Sequence, residues 1–131
     1  MERNEKTRAL LAAFGCALAY LLAGKALAAA LPPLPEEAAR MWAFAHRCAA
    51  APIVEELVFR GIIQQLARPL GERQAVALQA VLFAVQHRGP AGMAYALVCG
   101  LVLGTIRSRT GSVWPGMLLH TLNNLLVFTA G

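Results

Sequence analysis

In "PIVEELVFRG", residues 52–61, two adjacent glutamates and an arginine stand among apolar side chains. Charges are costly in a low-dielectric setting, and where membrane helices keep them they are usually functional. Helical spacing puts Glu56 and Arg60 four residues apart on one face. Glu55 is turned about 100° from Glu56, so one carboxylate can face a cavity while the other orients neighbours or pairs with Arg60. Two further stretches repeat the four-residue spacing: Phe83 with His87 in "FAVQH", and His120 with Asn124 in "HTLNN". Plainer readings exist for each: a buried ion pair, an interfacial histidine, helix-bridging hydrogen bonds. Together they offer more. A desolvated carboxylate beside imidazoles can take a proton from water. A second histidine and an asparagine amide can donate to the oxyanion formed when that water attacks a carbonyl. No serine or cysteine stands beside a histidine, and the zinc-protease spacing HExxH is absent. The inventory suits direct attack of activated water on an amide.

These residues need elements to carry them, and the composition says which. The chain has 131 residues, 58% of them apolar and only 15% charged. Its mean hydropathy is +0.55. Ordinary soluble domains carry about 25% charge, so the expectation is an all-α, polytopic bundle of membrane helices. About five apolar segments can be drawn: 9–31, 41–66, 74–87, 91–106 and 113–130. The third and fourth are short against the roughly 20 residues that span a bilayer. A basic tail, a first membrane helix and a Pro-rich loop make up residues 1–40, and residues 41–131 form the core. The net charge of +5 does not point to nucleic acid, because the basic residues sit singly or in pairs between apolar segments. Cys16, Cys48 and Cys99 read as small packing groups.

Counting rise from the connectors "RPLGER" and "RSRTGS" gives depths of roughly 18 Å for Glu55, 21 Å for His87, 19 Å for Asn124 and 13 Å for His120. Three helices thus bring polar groups to one broad layer. The bias of Lys and Arg predicts a cytoplasmic N-terminus in a bacterial inner membrane. A cleavable signal peptide is the alternative reading of the first segment, and a retained helix is favoured because the apolar run is long.

The three motifs in order resemble the CAAX-protease and bacteriocin-processing family of glutamic-type intramembrane endopeptidases. "EELVFR" matches EExxxR, "FAVQH" matches FxxxH, and "HTLNN" matches HxxxN. The resemblance implies that Glu55 activates water with help from His87, that Glu56 and Arg60 support the site, and that His120 and Asn124 stabilise the oxyanion. Phe83 would pack beside them. It implies no cofactor, with zinc as the alternative, since no metal-ligand spacing stands out. The partner implied is a membrane-anchored protein or peptide substrate in the bilayer. The chain is shorter than the larger relatives, so it looks more like small bacterial members, including myxosortase-like proteases that remove C-terminal sorting tails. Self-association would help so few helices close a cavity. Two other classes compete: a non-catalytic membrane immunity or binding protein, and a small proton-coupled transporter. The transporter is disfavoured by the lack of an internal repeat.

Overall fold

The computed structural model describes residues 2–131, and among them there is no strand. Five helical rods follow the apolar segments, with different limits. The first, α1, runs Glu2–Ala30 and takes in the basic residues that precede the apolar run. The second, α2, covers residues 36–66 with helical backbone angles throughout, but it is not one α-helix. Two π-helical stretches, His46–Ala50 and Glu56–Ile63, interrupt it. The chain therefore has more helical pieces than the five segments expected. A 3₁₀ turn at Arg68–Leu70 leads into α3, Glu72–Ala84. Helix α4 is Gly89–Thr110 and α5 is Trp114–Ala130.

Two of the expected limits are corrected. At 22 residues α4 is longer than the 91–106 segment and reaches about 33 Å. Helix α3 stops at Ala84, so His87 lies in the turn beyond it and helical rise overstates its depth. That turn is closed by the backbone N–H of His87 donating to the Ala84 carbonyl. Thirteen residues of helix extend about 20 Å, too little to cross a bilayer alone. Helices α1 and α4 are long and apolar enough to cross a membrane.

Small residues set the distances between rods. Helices α3 and α4 share the most extensive helix–helix contact. A Cβ on Gly100 would fall 2.9 Å from the Cα of Ala80, so the two backbones meet only because position 100 has no side chain. Gly111, in the left-handed conformation at φ 70°, ends α4 and turns the chain toward α5. Ser112 stands one residue before the helix-flanking Val113, and its hydroxyl accepts the Trp114 N–H at 3.3 Å. Ala13 and Ala17 of α1 join Phe59, Ile63, Leu82 and Phe83 in the apolar core.

The distribution of polarity is inverted relative to a water-soluble domain. Glu56, Arg60, Gln64, Gln79 and His120 are buried, while Leu118, Val98 and Leu126 are more than 60% exposed. Hydrocarbon outside and hydrogen-bonding groups inside is the arrangement that a lipid solvent favours. All three cysteines are unpaired; Cys48 is buried, and Cys16 and Cys99 are half-buried.

Candidate active site

Helix α2 presents Glu56, Arg60 and Gln64 in register on its inner face, all buried. The Arg60 Nη1 lies 3.1 Å from Glu56 Oε1, the i,i+4 pair expected from the spacing. That nitrogen is near the carboxylate without hydrogen-bond alignment, so the contact is an ion pair only. The guanidinium also lies over the Phe83 ring, 4.4 Å from its centroid. Both partners are almost wholly buried, a setting in which each charge depends on the other.

From α5, His120 enters this pair. Its Nδ1 is 2.9 Å from Glu56 Oε1, and its Nε2 is 3.6 Å from Glu55 Oε2. The carboxylates do diverge, as a helical turn demands, yet they address the two nitrogens of one imidazole. The π-helical stretch begins at Glu56, and its i→i+5 bonding widens the turn at this point. The Glu56 side chain is sealed, with 1% exposure, and its Oε2 rests against the backbone of Gly116 with no hydrogen bond. Glu55 keeps 19% of its side chain open, so it is the carboxylate that a water or substrate can reach.

His87 comes from the turn after α3. Its Nδ1 is 3.0 Å from the Phe83 carbonyl oxygen. A carbonyl only accepts, so Nδ1 carries the hydrogen, and Nε2 of the neutral ring carries a lone pair. The Glu55 carboxylate is within electrostatic reach of His120, His87 and Arg60.

Phe83 is the hub on which these groups are mounted. Its ring meets His87 at 4.7 Å, His120 at 5.8 Å and Phe59 at 5.1 Å, all edge to face, besides the Arg60 cation. The FxxxH spacing hinted at this contact, although the turn after α3, and not a continued helix, brings the His87 ring onto Phe83.

Asn124 is placed differently from the other candidates. Its Nδ2 donates to the Arg47 carbonyl at 2.9 Å, and its Oδ1 accepts from Asn123 at 3.3 Å. Tyr95 in turn donates to Asn123 Oδ1. The structure thus gathers Glu55, Glu56, Arg60 and His120 directly and His87 through Phe83, while Asn124 ties α5 to the first π-helical stretch. Tyr95 and Arg47 escape a sequence reading. A tyrosine at a helix surface looks like an interfacial residue, and a backbone carbonyl has no sequence signal.

One comparison with known proteins decides the family. The family model of type II CAAX prenyl endopeptidase Rce1-like proteins matches residues 37–126. The chain belongs to the Rce1-like family. This Rce1-like chain is therefore a membrane protein and an intramembrane protease of the CAAX type, acting on a membrane-associated protein substrate. No curated protein and no solved structure matched it. The matched region of the Rce1-like chain runs from the start of α2 into α5 and takes in every candidate residue.

Proposed function

We propose that this protein hydrolyses a peptide bond in a membrane-anchored polypeptide with water activated by Glu55. The observation that carries the reading is the pair of contacts on His120, with buried Glu56 on one ring nitrogen and partly open Glu55 facing the other. In this scheme Glu55 takes a proton from water as the water oxygen bonds to the scissile carbonyl carbon. His87, with its Nδ1 tethered, helps hold that water through Nε2. The oxyanion is met by His120 Nε2–H and by the N–H that Asn124 has left after donating to Arg47. When both ring nitrogens carry hydrogen, Nδ1–H stays on Glu56 Oε1, which also faces Arg60 Nη1. As the C–N bond breaks, the proton on Glu55 passes to the leaving amine.

The reading is metal-independent. Its support is the donor set: among the described residues no three His, Cys or Glu side chains converge to hold an ion. The family description names prenyl substrates. For this chain the proposal extends to CAAX-like tails, bacteriocin-type peptides or C-terminal sorting tails, each a polypeptide held at the membrane.

The test compares C-termini in membrane and secreted fractions of cells with active protein and with Glu55→Gln. New termini that vanish in the variant, with a rate loss of about 10²–10⁴, are the expected result. Undiminished cleavage by a folded, inserted Glu55→Gln protein overturns the assignment. Chelator-sensitive cleavage restored by zinc overturns the metal-free part alone.

A further inference from the structure

At the end of the bundle that carries the "RPLGER" and "RSRTGS" connectors lies a second polar chamber, of about 350 Å³. That volume lies within the range of small-ligand sites, about 300–1,000 Å³. Its walls include Arg60, Gln64, Arg68, Glu72, Arg107 and Ser108, from α2, the turn after it, and the starts and ends of α3 and α4.

The charges in the chamber do not cancel. Arg68 Nε pairs with Glu72 Oε2 at 3.4 Å, and Glu72 Oε1 accepts the Ser108 hydroxyl. Glu56 engages Arg60 through Nη1 only. What is left over is mostly donor: Nε and Nη2 of the wholly buried Arg60 and the buried Nε of Arg107 have no acceptor, against a single free acceptor on the walls, Gln64 Oε1. Buried donors without acceptors are expensive, and each such group in a folded protein calls for an explanation. A multi-oxygen anion supplies one, because guanidinium forks match its oxygens.

Position narrows the anion. Tyr20 packs on Phe59, and α1 also meets the 3₁₀ turn at Arg68–Leu70. Helix α1 therefore runs antiparallel to this part of α2, and its basic first turns, with Arg3, Lys6 and Arg8, lie at the same end. A basic pocket between membrane helices at that level faces lipid headgroups.

We propose that this chamber is a phosphate-binding site, filled by a phospholipid headgroup or by free phosphate. It shares Arg60 with the candidate active site, and its test reads binding alone. The full chain is placed in nanodiscs of phosphatidylcholine with increasing phosphatidylglycerol, and native mass spectrometry counts the retained lipid. A parallel arm titrates inorganic phosphate and follows the thermal midpoint. The expected result is one retained phosphatidylglycerol, or a saturable rise of the midpoint with phosphate if the free ion is the ligand. Arg107→Gln and Arg68→Gln should each weaken that binding about fivefold. Arg68 is 56% exposed in its side chain, so its removal leaves the fold intact. Arg109→Gln, at the same end but outside the chamber, should change nothing. No binding in either arm, or an equal loss with Arg109→Gln, overturns the proposal.

Discussion

Removing either glutamate leaves different partners behind. Without the Glu56 carboxylate, Arg60 is a wholly buried cation with the Phe83 ring against it and no carboxylate in contact. Breaking a buried pair on one side costs about 3–5 kcal/mol, whereas replacing both partners by apolar groups is often neutral. Glu56→Gln should therefore lower unfolding stability in detergent by about 3–5 kcal/mol. The double variant Glu56→Leu with Arg60→Leu should recover most of that loss and still fail to cleave. Glu55→Gln should change stability by less than about 1 kcal/mol, because its side chain is partly open and its contact with His120 Nε2 is long, at 3.6 Å. Equal destabilisation by the two single substitutions would contradict this division of labour. The pairing of Glu56 with Arg60 was legible from spacing alone. The shared imidazole was not, since no spacing rule says which ring nitrogen a residue 64 positions away will offer. Asn124 marks the same limit: its place on one face with His120 was readable, but its bond to the Arg47 carbonyl depends on how α5 crosses α2.

Between elements, the site depends on how closely α3 and α4 approach. Phe83 and His87 belong to α3 and its following turn, so whatever moves α3 moves the hub under both histidines. Gly100 allows that approach, and a Cβ there meets backbone, which cannot swing aside. Gly100→Ala should cost about 1–3 kcal/mol by overpacking and reduce cleavage in parallel, read by thermal unfolding and by turnover of a membrane-anchored substrate. Gly92→Ala serves as the control, because its Cβ would meet nothing within 4 Å. If both variants behave as wild type, α3 is not held by this contact. Apolar runs and Gly-containing breaks were enough to place the five rods approximately. They were not enough to find the π-helical stretches of α2, which pack against α5 and α1 and have no local signature in the sequence. Nor could they show that α3 ends at Ala84, because "VQH" continues the helical pattern until the turn bonds at Gln86 and His87 take over.

For the molecule as a whole, the governing fact is which solvent each surface meets. Low charge and high hydropathy made a membrane bundle legible at once, whereas the polar chamber at the basic end was hidden, because it joins α2 residues Arg60 and Gln64 to connector residues far away in the chain. The inverted polarity makes a quantitative demand. Val98 lies near the middle of α4 with 61% of its surface open. In water, lysine at such a site would be harmless or helpful. In hydrocarbon, a charge at the centre of a spanning helix costs about 2.5–3.5 kcal/mol. Val98→Lys should thus reduce membrane insertion of α4, measured by glycosylation mapping of the full chain, by a factor of about 100 in the insertion equilibrium. Thr105→Lys, exposed but close to the helix end, should cost far less, since a lysine there can extend its ammonium to the interface. Equal insertion of Val98→Lys and wild type would mean that this face of α4 meets water or protein instead of lipid. The buried ion pair of Glu56 and Arg60 would then have to be explained as part of a soluble core.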